Sequence, residues 1–295
     1  ANPEISTKFE DWVETDLLQV SAGQIRKVVI DKYSFDETQM SIKDRVTQTL
    51  SRPEGTSPWA LTGIKDTEEI NDETLNQLTS TLDDLRLAGV RPKPRLVAQA
   101  TDLSELGKLP QPALMALARE LSVRGFFIVK DQTRFFVVSN EGETEAACED
   151  GVVYTLRFGE VLVGTGDEVS AGKEPGKDAK KDEKKAGAEN RYLFVSVRFD
   201  ESLLGAAPVE PKPYAADPAK KPEDQQMDEA KAKHEKEEFE KKKKEFDQKK
   251  DDGKKRAEKL TRRFAEWYYV ISDDAFKKLR VDRTKLVKPK EEKKP

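Results

Sequence analysis

From Lys231 to Leu260, 22 of 30 residues are charged, and a run of that polarity cannot be enclosed in any compact core. It can only be a solvated helix or an unstructured stretch. A heptad-spaced series, Ala232, Phe239, Phe246, Gly253, Leu260 and Trp267, runs through it. Apolar partners for a second seam position occur only at Ala257 and Phe264, with Lys243 and Lys250 at the equivalent earlier places. That seam is too narrow for a self-sufficient coiled coil. The expectation is a long helix whose last two turns, Ala257, Leu260, Phe264 and Trp267, dock on a folded body. At Gly253 the helix has an alternative, a break into a helical hairpin, because Gly costs up to ~1 kcal/mol relative to Ala.

Two further stretches lie outside any core. Ala171–Asn190 contains no Val, Ile, Leu, Met, Phe, Trp or Tyr and has 11 charges in 20 residues, so it reads as a disordered loop. Residues 205–222 contain Pro208, Pro211, Pro213, Pro218 and Pro222, which implies an extended, semi-rigid linker. Charge is unevenly divided: residues 1–170 carry a net −11 and residues 171–295 a net +7. Acids interleaved among the lysines argue for a solvated helix over a phosphate-tracking one.

The remainder reads as α+β. Strands are expected at Arg26–Asp31, Val46–Leu50, Trp59–Leu61, Tyr192–Phe199 and Trp267–Ser272, with a short helix or turn at Phe9–Val20. Leu75, Leu78, Leu82 and Leu85 share one helical face. Asn71 is the N-cap, Ile70 and Leu75 form a hydrophobic staple, and Gly89 takes the left-handed position after the helix. A second helix spans Pro112–Leu121. A β-meander follows through Phe126–Lys130, Arg134–Ser139, Glu143–Cys148 and Val152–Phe158, its last turn at Asp150-Gly151. The sheet is mainly antiparallel, with two or three helices packed on one side and the long charged helix projecting.

Reactive chemistry is sparse. One His and one Cys exclude a Cys/His zinc site, a disulfide framework and a His-dependent triad. Gly164-Thr165-Gly166 with Gly172-Lys173 has five residues where a phosphate loop needs four, and Glu174 where it needs Ser or Thr. His234 lies in the solvated run, and Cys148 reads as a small buried hydrophobe at a strand end. The acids Glu141, Glu143, Glu145, Glu149 and Asp150 do not have calcium-loop spacing and read as a solvated strand face. No pair of carboxylates is singled out for hydrolysis. No catalytic, cofactor-binding or metal residue is therefore assigned.

Several segments together resemble a bacterial domain-of-unknown-function family. They are Phe9-Glu10-Asp11-Trp12 with Asp16-Leu17-Leu18, Ile25–Asp31 with Tyr33-Ser34, Leu82-Asp83-Asp84-Leu85 and Arg124-Gly125-Phe126-Phe127. Ser139–Glu143, Asp150–Glu160, Asn190–Val195 and Arg263–Asp274 complete the pattern. The resemblance implies a membrane-anchored envelope protein with repeated α+β modules, encoded beside auxiliary components of gliding-motility-type ABC transporters. It brings no catalytic residues. This chain lacks the family's anchor, which implies a C-terminal fragment attached to a membrane only through a missing upstream segment.

The expected organisation is 1–24 as the tail of a preceding module, 25–170 as the α+β domain and 171–190 as a disordered charged loop. Residues 191–204 return as a strand, 205–222 form the proline-rich linker and 223–262 the long helix. Residues 263–287 supply a strand and short helix, and 288–295 a disordered tail. The expected function is a non-enzymatic, extracytoplasmic or periplasmic accessory or scaffolding module of an ABC-transporter-associated envelope assembly. Protein partners are expected, with no cofactor and no nucleic acid, and no small-molecule substrate is identified. The alternatives are a carboxylate-dependent hydrolase of polysaccharide or peptide, and an anionic-polymer binder acting through the lysine-rich helix.

Overall fold

The Asn71 side chain accepts from the backbone N–H groups of Glu73 and Thr74, so the first helix starts where its sequence predicts. A computed structural model describes residues 16–53, 57–95, 97, 109–131, 134–163, 189–215 and 221–290. The strands are β1 (Ile25–Asp36), β2 (Ser41–Ser51), β3 (Ala60–Leu61), β4 (Glu68–Ile70), β5 (Gly89–Pro92), β6 (Phe126–Asp131), β7 (Arg134–Ser139), β8 (Glu143–Cys148), β9 (Val152–Val163), β10 (Glu189–Phe199), β11 (Trp267–Ser272) and β12 (Val287–Pro289). The helices are α1 (Asp72–Asp83), α2 (Gln111–Ser122), α3 (Pro222–Ala265), α4 (Asp273–Leu279) and α5 (Arg283–Leu286).

Eight strands form one antiparallel sheet in the order β3-β2-β1-β8-β9-β10-β11-β5. The fold is α+β, as expected. Side-chain alternation gives the sheet two buried faces. On β10, Leu193 and Val195 enter the main core with Leu78 and Leu82 of α1, Leu260 and Phe264 of α3, and Leu279 of α4. Tyr192 and Phe194 enter a second core with Leu117 and Leu121 of α2 and Phe126 of β6. Helices therefore cover both faces, where the sequence reading places them on one.

The expected meander is split. β6 and β7 pair only with each other in a separate two-stranded sheet, while β8 lies between β1 and β9. Gly142 permits the split: it has φ +80°, and a Cβ there would meet the carbonyl oxygen of Asp31, a residue distant in sequence, at 2.4 Å. The chain turns tightly over β1 and enters a new sheet. The β8–β9 turn forms as predicted, with Gly151 at φ +82° and its N–H bonded to the Cys148 carbonyl. Asp150 does not share the positive φ.

Gly89 is not a helix terminus. α1 ends at Asp83, Asp84 N–H caps Ser80, and Gly89 opens β5. The chain leaves the helix early because the Leu85 carbonyl accepts from Leu17 N–H and Arg86 bridges Asp16. Leu17, Leu18 and Val20 are consequently core residues, although 1–24 reads from sequence as a preceding module. The Phe9–Val20 element lies outside the described residues up to position 15, and the rest of it is a bridge and bend.

Other boundaries move as well. The loop expected at 171–190 lies outside the described residues except for Glu189 and Asn190, which already pair in β10. The long helix runs three residues past the expected position 262, to Ala265, and begins one residue before the expected 223, at Pro222. Val287–Pro289 pairs with β4, so Lys288 and Pro289 are not tail. Their neighbour Leu286 is fully buried, and its carbonyl accepts from Asn71 N–H at the start of α1.

Candidate functional site

The long helix is the feature with the clearest functional geometry. Its 44 residues amount to about 66 Å at 1.5 Å per residue. It does not break at Gly253. A Cβ there would sit 2.1 Å from the Asp150 carbonyl oxygen and 2.7 Å from Phe199, so the glycine is the point where the helix touches the β8–β9 turn. One turn on, the Arg256 guanidinium bonds the Asp150 carboxylate, the Gln19 carbonyl at 2.8 Å and the Tyr154 hydroxyl at 3.3 Å. The Tyr154 hydroxyl donates to the Leu18 carbonyl at 2.9 Å. Ala257, Leu260 and Phe264 then enter the main core. Trp267, expected to dock with them, is 39% exposed at the start of β11.

At the helix C-terminus, Lys93 satisfies two carbonyls. Its Nζ donates to Phe264 at 2.7 Å and its backbone N–H to Glu266 at 2.7 Å. The ammonium lies 4.0 Å from the centre of the Phe194 ring. Burial pushes the Lys93 amine down to about 7, and Arg157 adds to the shift. The ring face and the negative end of the helix dipole both favour the charged form and oppose that push.

Away from the body, from Pro222 to Lys249, the helix extends about 42 Å. Residues 205–215 run alongside it. Glu201 pairs with Lys250 at 2.7 Å, and the Tyr214 hydroxyl donates to the Gln225 carbonyl at 3.2 Å. Between those contacts 13 residues, starting in the short 3-10 turn Glu201–Leu204, run beside 25 helical ones, about 38 Å. That is about 2.9 Å per residue, an extended chain close to the ~3.1 Å of polyproline II. Pro208 and Pro211 are half-buried at a spacing of three, one polyproline turn, as are Ala232 and Phe239 on the helix. The linker thus runs antiparallel to α3 and covers the heptad stripe that the body covers further on.

A second polar assembly crosses the sheet face opposite the main core. Thr47, Asp31, Glu143, Arg157 and Phe194 are successive cross-strand partners on five adjacent strands. Arg45 grips Asp31 with contacts of 2.6 to 3.0 Å, and Arg157 Nε lies 3.0 Å from Glu143. Burial raises the Glu143 pKa above the usual carboxylate range against the pull of Arg157. The acids expected to be simply solvated are instead paired separately: Glu145 with Arg198, Glu149 with Arg26, Asp150 with Arg256 and Glu141 with Arg280. Among the described residues no group of three or more His, Cys, Asp or Glu is arranged to hold a metal ion.

His234 is exposed on the helix. Cys148 is fully buried, and burial pushes its thiol up to about 12. The phosphate-loop-like segment lies outside the described residues. Sequence reasoning missed Lys93, Arg256 and the role of Gly253, since each acts on residues more than 100 positions away. It also missed a legible signal, the polarity of the helix. Residues 222–240 carry eight acids and three lysines, whereas 241–265 carry twelve cations and five acids.

Compared with protein-family models, curated proteins and solved structures, the chain has no match. No helix among the described residues is long and apolar enough to cross a membrane.

Proposed function

We propose that the chain is a non-enzymatic accessory or scaffolding module of a bacterial envelope assembly, working outside the cytoplasm through protein partners engaged by the arm. The observation that carries this reading is the arm itself: a helix braced along its apolar stripe by a proline-rich strand and fixed at its root by Gly253, Arg256 and Lys93. A rigid, polar projection of about 42 Å places a contact surface well away from the body. The envelope placement and the association with ABC-transporter components come from the segment resemblance, which the arm geometry accommodates.

The experiment is an affinity pull-down from bacterial envelope extracts. The intact chain is compared with a variant in which residues 207–249 are replaced by a short Gly/Ser link, leaving the root in place. Partners retained by the intact chain and lost by the variant support the reading. Identical captures, with the variant folded by circular dichroism, would reject it.

A further inference from the structure

A helix that changes from acidic to basic along its length is complementary to itself turned end for end. In α3 the change is abrupt. Glu237, Glu238 and Glu240 fill one turn, Lys241, Lys242, Lys243 and Lys244 fill the next, and all seven are exposed. Because each block spans a full turn, both signs appear on whichever side faces away from the linker. The linker side is already taken, since residues 205–215 lie along the stripe of Ala232, Phe239 and Phe246.

We propose that the outer side of this arm binds a second copy of the same chain, the two helices lying antiparallel about a two-fold axis at the Glu240–Lys241 boundary. In that arrangement Glu240 meets Lys241 of the second copy and Glu237 meets Lys244 of the second copy. Two-fold symmetry makes each contact twice. The macrodipoles of the two helices also oppose, which favours antiparallel packing. Within one helix the same blocks form i,i+4 pairs, of which Glu238–Lys242 at 3.7 Å is one. The experiment must therefore separate pairing within a helix from pairing between helices. The proposal rests on the arm's geometry and charge order and is independent of the envelope placement.

The test is sedimentation of the purified full chain at low salt across a concentration series. The intact chain should form a dimer whose fraction falls as salt is raised, because exposed ion pairs are screened over a Debye length of about 10 Å at 0.1 M. One variant changes Lys241, Lys242, Lys243 and Lys244 to Glu, and another changes Glu237, Glu238 and Glu240 to Lys. Each alone should weaken dimerisation at least about tenfold, through loss of several screened pairs. Mixed together they should form a heterodimer. A third variant carrying both changes should dimerise again, although its pairs within each helix run in the less favourable order. Circular dichroism confirms that each variant remains helical. A monomer at all concentrations at low salt would overturn the proposal. So would a dimer indifferent to both single-block reversals, or binding to polyphosphate without self-association.

Discussion

The carbonyl oxygen of Asp150 lies 2.1 Å from where a Cβ of Gly253 would be. A helix interior normally disfavours glycine, yet here the missing side chain lets the backbone of α3 rest on the β8–β9 turn. Gly253→Ala should gain up to ~1 kcal/mol of helix propensity and lose more than that to overpacking, typically about 1–3 kcal/mol. Chemical denaturation should show a net loss of stability. A more stable variant would mean that the contact is loose.

Continuity of the helix through Gly253 fixes a distance. Spin labels at positions 226 and 258, both exposed, should lie roughly 48 Å apart at 1.5 Å per residue. A dominant separation below about half of that would establish the hairpin that the glycine invites on propensity grounds.

Lys93 makes stability depend on pH. Its amine is pushed to about 7 in the folded chain, below the ordinary value of about 10.4 that it regains on unfolding. Between those values the unfolded chain binds a proton that the folded chain lacks, so stability rises with pH. The burial penalty is fully present below about 7 and is relieved on going towards 10. Lys93→Met keeps a side chain over Phe194 and removes the titration. Measured from pH 6 to pH 9, the stability advantage of the wild type over Lys93→Met should grow steadily. A constant difference would show that the amine titrates outside this window. Stopping at pH 9 avoids the tyrosines, among them Tyr154 and Tyr268, whose hydroxyls burial raises well above 10.

Phe264 is 1% exposed and packs edge-on to both Tyr154 and Tyr269. Phe264→Ala should destabilise the chain by about 3–5 kcal/mol, as deletion of a buried aromatic ring does. Truncation before Phe264 should do more, because it also removes β11, which joins β10 to β5. An unchanged melting temperature for either would contradict the docking of the helix end.

Cys148 should be silent to a thiol reagent in the native protein at pH 8 and react fully once the chain is denatured. Its full burial and a thiol pushed up to about 12 leave very little thiolate to attack. Rapid modification of the native chain would show that the β8 end opens.

What was legible in the sequence was local. Asn71 caps its helix through its own side chain and the two N–H groups just beyond it, Gly151 makes a turn because its φ is free, and a run with 22 charges in 30 residues must stay in water. That Trp267, Tyr269 and Ile271 join the sheet of Tyr192–Phe199 was also foreseeable, because so apolar a strand after so polar a helix needs a sheet to join; the structure adds that β11 pairs directly with β10. What only the tertiary structure decided depended on distant backbone. β6 and β7 left the main sheet although only a short turn separates them from β8, since a strand's own residues assign its faces and not its neighbours. Gly89 opened a strand because Leu17 claimed the Leu85 carbonyl across 68 positions. Gly253 reads as a helix breaker by propensity and serves as a contact point only because Asp150, 103 residues earlier, is folded against it. Propensity is a property of neighbouring residues, and close approach is a property of the fold.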